Sequence, residues 1–505
     1  MHAHPSLFSI LGLLVVPPSA RAASAGGDPA PFPLVRGEVV ATYCPNSRSA
    51  AGNSLILVDP RTPGPIGSNW LAPFFSNESG LAAEQWNYAN LGCVFGIAVD
   101  STPDIYVSAS SSYGNFGTAS SSTGGTYGPA GGGGVYRIDG VTGDIDSWMV
   151  TGTGAVGTNT LLNPAGPGQT PPGLGDICYD DVFDQFFVSD FADGRIYQVK
   201  KGSGSLANKG VVQHVYDPFL PYPYAGNPLF APLGERVWAV HVTNVWRFAR
   251  GGSGSSSGGT IKRALLFSVW LRDQTRQTTP WPASWPLHLG PDNNAIFQWD
   301  LDALGNLVSS GPTLWGVMPY LVDGDGFNFG FSCPVSDITT APSATAKKPM
   351  RLLAAERTMI GDYGALGHGH FSRLLAFRLL YKLVVSSTWP PQPNPDTFDY
   401  HVGDLVTSDT TPLGWNSCGG TTTWRYSSGL VSAALTWSTG DALLGYDPFG
   451  NPPYAYGLQC IPGNGNQYLA APQSSTSLII DLDHDVNVAD KSQPGDVEYI
   501  TRSAH

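Results

Sequence analysis

Leu174-Gly-Asp-Ile-Cys-Tyr-Asp180, Gln185-Phe-Phe-Val-Ser-Asp190 and Gly194-Arg-Ile-Tyr-Gln-Val199 decide the fold. The three segments are β-branched and aromatic, apolar on alternate residues, and joined by short Asp- and Gly-bearing links, which is the pattern of three antiparallel strands connected by hairpin-type turns. An upstream trio matches it in order and chemistry: Val94-Phe-Gly-Ile-Ala-Val-Asp100, Asp104-Ile-Tyr-Val-Ser108 and, after a Gly/Ser loop, Gly134-Val-Tyr-Arg-Ile-Asp139. Looser copies follow at Arg236–Val240 with Asn244–Phe248, Ala295–Asp300, Met350–Glu356 with Ser372–Phe377, and Ser477–Asp481. A degenerate unit of about four strands, returned to several times, is the signature of a β-propeller.

Composition agrees. The chain of 505 residues carries Gly 62 and Pro 42 but only 13% charged residues, against about 25% in an ordinary soluble domain. Only six acids are Glu and only eight cations are Lys, so strong surface helix formers are scarce. Asp, Gly, Pro, Asn and Ser favour turns instead. With 42% hydrophobic residues the chain can bury a core. Six or seven blades over 37–505 would take about 70 to 80 residues each, above the usual 40 to 50, so long inter-strand insertions are expected. Ser108–Gly134, Gly251–Gly259 and Trp389–Pro395 are the Gly/Ser- and Pro-rich ones. Ser372–Val385 suits a helix or a strand, and its first half is read as a strand to follow the repeat.

The unit Leu174–Val199 resembles a blade of NHL/YVTN-type propellers. Leu352-Leu-Ala-Ala-Glu-Arg-Thr-Met359, with His370-Phe-Ser-Arg373, resembles a segment of poorly characterised secreted bacterial propeller proteins, and Gly495-Asp-Val-Glu498 is similar to their last inner strand. The resemblance implies a fold and an export route but no single activity.

Leu7–Val16 is an apolar run of signal-peptide length, followed by Pro17-Pro18 and the small-x-small Ala20-Arg21-Ala22. The expected organisation is a signal peptide over 1–22, a linker over 23–36 and one propeller over 37–505, secreted to the extracellular or periplasmic side. No segment is apolar for the roughly 20 residues a membrane span needs. The net charge of −13 argues against nucleic acid, whose binding needs cations to displace phosphate counterions. Cys44, Cys93, Cys178, Cys333, Cys418 and Cys460 permit three disulfides or buried thiols, with no C-x-x-C pair.

Four Asp residues open expected inner strands: Asp176, Asp337, Asp404 and Asp496. In a propeller such carboxylates either cap turns or converge on the channel, where clustered oxygens suit Ca²⁺. His368-Gly-His370, with Glu356, Asp362 and His401, supplies imidazole ligands or a general base, without a nucleophile to serve. Asp481-Leu-Asp-His-Asp485 begins like an EF-hand loop, but Val486 and Ser492 stand where Gly and Glu are required, so it is read as a solvated edge. Gly152–Gly157 fits a dinucleotide fingerprint without the helix, and Gly254–Gly258 a nucleophile elbow without the strand; both are discarded. Trp281, Trp285 and Trp389 lie in insertions, where such rings either pin the loops onto the scaffold or, exposed, stack on sugars or grip a peptide. The expectation is a binding or surface-scaffold propeller that recognises an extracellular carbohydrate, protein or cell-surface ligand through its loops. The alternative is a Ca²⁺-dependent hydrolase or lyase at the channel mouth.

Overall fold

The computed structural model describes residues 32–44, 52–61, 64, 66–67, 69–70, 72–75, 86–110, 127–151, 173–206, 208–218, 234–247, 260–270, 294–318, 331–341, 351–360, 367–368, 372–378, 400–403, 416–428, 431–441, 443, 455–462, 477–482 and 493–504. Blade one takes β1 (Val39–Tyr43), β2 (Leu55–Val58) and β3 (Phe74–Phe75) from the start of the chain. A single helical turn, α1 (Tyr88–Leu91), capped by the Asn87 side chain, leads into blade two. That blade is β4 (Val94–Val99), β5 (Ile105–Ala109), β6 (Gly134–Ile138) and β7 (Ile145–Val150). Blade three is β8 (Leu174–Asp180), β9 (Gln185–Asp190), β10 (Arg195–Lys201) and β11 (Gly210–Tyr216). Blade four is β12 (Arg236–Arg247), β13 (Thr260–Trp270), β14 (Ala295–Asp300) and β15 (Thr313–Val317).

Next in the chain, β16 (Phe331–Ser332), β19 (Thr358–Ile360) and β20 (Gly367–His368) form a small separate sheet, while β17 (Val335–Ala341), β18 (Arg351–Glu356) and β21 (Leu374–Arg378) form blade five. Blade six is β22 (Ser417–Ser428), β23 (Val431–Gly440), β24 (Gly457–Pro462) and β25 (Leu478–Asp481). Finally β26 (Pro494–Tyr499) returns to blade one and pairs with β1, Val39 opposite Tyr499 and Ala41 opposite Val497. The count is six blades, and the inner strands follow one another around the axis as β26, β4, β8, β12, β17 and β22. Closing the ring with strands from both chain ends ties the first and last blades together, and ring closure removes the exposed edge an open stack would leave.

The repeat reading missed the fourth strand of blades two and three. β7 buries only Trp148 and Met149 and β11 is exposed or half-buried throughout, and their sequences, IDSWMV and GVVQHVY, lack a continuous apolar face. The inner three strands depart from simple alternation because blades pack on both sides. Phe186 and Val188 face blade two, with Tyr106 and Trp148, while Phe187 faces blade four, with Val237, Phe267 and Phe297. Trp148 and Phe186 meet edge to face at 5.0 Å, the arrangement the ring quadrupoles favour. β21 confirms the strand reading for the first half of Ser372–Val385. Phe32 and Leu34, placed by the sequence in a linker, pack with the core between blades one and two, where the Leu34 amide donates to Gly140 at 2.8 Å.

One disulfide, Cys44–Cys93, joins blade one to the entry of blade two, with the Cα atoms 5.1 Å apart. Cys178, Cys333, Cys418 and Cys460 form no disulfide, so the permitted three bridges reduce to one. Their positions explain it. Cys460 packs in the core between blades six and one, and Cys178 against the core between blades three and four. Burial pushes the Cys333 and Cys460 thiols up to about 12, far from the reactive thiolate range.

Candidate functional site

Each inner strand carries an irregularity where it pairs with its second strand, and a side-chain hydroxyl fills the gap. In five blades the hydroxyl stands on the second strand. Ser108, Ser189, Ser268, Thr439 and Thr42 accept the backbone N–H of Gly96 (3.0 Å), Asp176 (2.8 Å), Ala239 (2.9 Å), Gly420 (2.9 Å) and Asp496 (2.8 Å). The same hydroxyls donate across to the next inner strand, reaching the carbonyls of Gly175 (2.9 Å), Trp238, Val335 (2.6 Å), Gly495 (2.6 Å) and Phe95 (2.8 Å). Blade five departs from this, because Ala355 lies opposite Asp337. There Ser336, on the inner strand itself, donates to the Gly419 carbonyl at 2.8 Å. A belt of six hydroxyls therefore stitches the blades together around the axis.

On this belt the ring of inner-strand residues reads Gly96, Asp176, Ala239, Asp337, Gly420, Asp496, so a carboxylate alternates with a small residue. Each Asp reaches the following inner strand. Asp176 Oδ2 accepts from the Val240 amide at 3.0 Å, Asp337 Oδ2 from Thr421 at 2.6 Å, and Asp496 Oδ2 from Ile97 at 2.8 Å. The other oxygen of Asp176 and of Asp496 accepts from the next residue of its own strand, Ile177 and Val497, at 2.7 Å in both cases. The small residues are required by contact. A Cβ on Gly96 would lie 2.5 Å from Asp176 Cα, and one on Gly420 2.5 Å from Asp496 Cα.

Burial raises all three carboxyls: Asp337 to about 7, and Asp176 and Asp496 well above the ordinary range, with the other carboxylates of the axis adding to the shift. Two residues further along β26, Glu498 is held up to about 7 by burial and accepts from the Thr422 hydroxyl at 2.9 Å. On β12, burial and the Arg263 charge hold His241 down to about 4, with Nε2 3.1 Å from the Thr340 hydroxyl. On the other side Arg357, fully buried, donates to the Cys418 and Pro494 carbonyls and stands 5.7 Å from the Phe95 ring centroid. Met359 of the small sheet packs there with Phe95, Trp238, Phe191 and Trp270.

The sequence candidates divide sharply. Asp176, Asp337 and Asp496 take equivalent places on alternate inner strands, each bonded to the strand that follows. Asp404 lies outside the described residues, and Gly403 before it donates to Gln459 of β24 at 2.8 Å, while the inner strand of blade six begins at Ser417. Glu356 forms a buried two-point ion pair with Arg373, at 2.7 and 2.6 Å; it is a structural anion rather than an acid or base facing a cleft. The His368 backbone pairs opposite Thr358 in the small sheet, and His370, Asp362, Trp281, Trp285 and Trp389 lie outside the described residues. Asp481 is a buried group, not a solvated edge: its Oδ1 accepts from the Tyr456 amide at 3.0 Å and its own amide donates to Asn69 at 3.1 Å. Sequence reading missed the hydroxyl belt and the alternation of Asp with Gly or Ala. The available signal was the Ser ending Tyr106-Val-Ser108 and Phe187-Val-Ser189, one strand after each inner-strand start.

Among the described residues, no group of three or more His, Cys, Asp or Glu side chains is arranged to hold a metal ion. No helix there is long and apolar enough to cross a membrane. No family model matches the chain, and no curated protein matches it. It is similar to several solved structures. One is a Lactobacillus plantarum protein at 10% identity and TM-score 0.33, covering 92% of this chain and 99% of that one. Another is a Bacteroides uniformis protein described as a candidate 6-phosphogluconolactonase, at 10% and 0.32, covering 92% and 99%. A third is from a nidogen/laminin complex, at 11% and 0.27, covering 68% and 90%. At these scores the likenesses carry no functional argument, and the propeller rests on the sheet topology.

Proposed function

We propose that the protein is an extracellular binding propeller, with an axis devoted to holding the ring closed and long loops that recognise a carbohydrate or protein ligand. The observation that carries this reading is the use made of the axial carboxylates: both oxygens of Asp176 and Asp496 are engaged by backbone amides of two adjacent inner strands, and Asp337 Oδ2 by the Thr421 amide of the next one. An enzyme working at the axis needs such groups turned toward substrate. Residues available for contact then lie in the insertions, where Trp281, Trp285 and Trp389 offer large faces at low entropic cost. Export is supported by the Cys44–Cys93 bridge, which persists in oxidising compartments, together with the Leu7–Val16 run.

The test uses the full exported chain on a glycan array and a panel of extracellular-matrix proteins. Saturable binding that weakens tenfold or more in Trp281→Ala/Trp285→Ala or in Trp389→Ala, with Tm unchanged, is the expected result. Turnover of a lactone, ester or polysaccharide by the parent, lost in a folded Asp176→Asn variant, would replace this reading with the Ca²⁺-dependent enzyme.

A further inference from the structure

At the belt the axis is sealed: Asp176, Ala239, Asp337 and Asp496 are buried, and so are Arg357 and Met359 beyond them. The opposite end differs. Two residues past the belt the inner strands bring a second ring into place, in order around the axis Ala98, Cys178, His241, Thr339, Thr422 and Glu498. The residues just before them, such as Ile177, Val240, Ile338 and Val497, pack against the preceding blade, so alternation turns the ring the other way. Cys178, His241, Thr339 and Glu498 are half-buried, unlike the belt. The exposure is local: His241 stands between buried Val240 and Val242 on a strand that runs on to Arg247, and Glu498 stands between buried Val497 and Tyr499. A frayed strand end would expose the neighbours too, so solvent reaches these side chains along the axis. The axis is a blind mouth, closed at the belt and open at the second ring.

The atoms this ring leaves unclaimed define what fits it. Glu498 Oε1 accepts from the Thr422 hydroxyl at 2.9 Å and from the Tyr499 amide at 3.0 Å, while no group among the described residues takes Oε2. In the belt, by contrast, the second oxygen of Asp176 and of Asp496 is spent on the next strand. His241 Nε2 lies 3.1 Å from the Thr340 hydroxyl, and the tautomer that donates there leaves Nδ1 as an acceptor. Thr422 gives its hydrogen to Glu498, whereas the half-buried Thr339 hydroxyl has no bond to a described group. His241 and Glu498 stand three strands apart in a ring of six, facing each other across the axis. The ring contains no Lys or Arg to meet an anion, and no aromatic side chain on which a sugar could stack. A carboxylate oxygen, an imidazole nitrogen and a hydroxyl set around one opening are three acceptors, and a primary ammonium carries three donors and no acceptor.

We propose that the open end of the axis is a pocket for a primary ammonium group, whose three N–H bonds go to Glu498 Oε2, His241 Nδ1 and the Thr339 hydroxyl. The bond to Glu498 is charge-assisted and is the strongest of the three. The ammonium arrives either on a free alkylamine or on the lysine side chain of a protein. The pocket is built by the inner strands and stands apart from the insertions, so a chain that fails on every glycan and matrix protein still holds an amine here.

Calorimetric titration of the full chain with 1,5-diaminopentane, with Nα-acetyllysine methylamide and with tetramethylammonium, all as chlorides at one ionic strength, tests this. Saturable binding of at least one primary amine is expected, and the tighter of the two identifies the source as a free amine or a lysine side chain. Tetramethylammonium, which has the charge but no N–H donor, should not bind. Affinity for the amine should fall about tenfold or more in Glu498→Gln and about fivefold in Thr339→Val. Thr339→Val changes a half-buried hydroxyl at constant shape and keeps the test open should Glu498→Gln fail to fold, and the tetramethylammonium comparison needs only the wild-type protein. No saturable binding of either amine, tetramethylammonium bound as tightly as the amines, or an affinity unchanged in Glu498→Gln or in Thr339→Val would overturn the proposal.

Discussion

Two kinds of blade joint alternate around this axis. At β26/β4, β8/β12 and β17/β22, an Asp crosses to the next strand and takes its amide. At β4/β8 and β22/β26, Gly96 and Gly420 lie so close to the Cα of the following Asp that no side chain fits between. The irregularity of the inner strand is shared by both kinds, and the hydroxyl belt runs through both. What differs is how the space at the axis is filled: once by a side chain that supplies acceptors, once by backbone alone. The comparison teaches that a carboxylate and a glycine can be two halves of one device, the second making room for the backbone of the first.

Asp176→Ala should break the first kind of joint most severely. It leaves the Val240 and Ile177 amides buried without acceptors, at about 1–3 kcal/mol each, so a loss of about 4 kcal/mol in urea-unfolding stability is expected. Opening the covalent link that backs up the β26/β4 side, with Cys44→Ser/Cys93→Ser, should cost about 3 kcal/mol, read the same way. Gly96→Ala attacks the second kind of joint. Its new methyl must displace backbone rather than a flexible side-chain end, and about 2 kcal/mol of destabilisation is expected, whereas a neutral result would mean the close approach is not required. The smallest effect belongs to the belt. Ser189→Ala should cost about 1 kcal/mol, and in blade five Ser336→Ala should cost a similar amount in the wild type but less when Ala355→Ser supplies the hydroxyl from the second strand.

How much of this the sequence disclosed depends on the range over which each signal acts. The inner three strands of blades two and three were legible because packing between two neighbours demands long apolar runs such as Val94–Val99. β7 and β11 were not, since an outermost strand with exposed residues has no such demand. Three of the four Asp positions were found because Gly-Asp-Ile/Val and Ser-Asp-Ile repeat locally, but where their oxygens go depends on residues some 64, 84 and 399 positions away. Asp481 was misread for the same reason: its acceptor role is set by Tyr456, and its amide by Asn69 at the far end of the chain. The lone bridge among six cysteines likewise reflects which strands the ring brings side by side.

The claim at the centre of this account is that the axial carboxylates act as joints between specific blades. Peptide-level amide hydrogen exchange on the wild type and Asp496→Ala tests it most directly, by following 94–99, 236–247 and 417–428 together. Protection should fall first and most at 94–99, where the Ile97 amide loses its acceptor, while 236–247 and 417–428, held by Asp176 and Asp337, change less. Equal loss in all three segments, or no loss at 94–99, would contradict it.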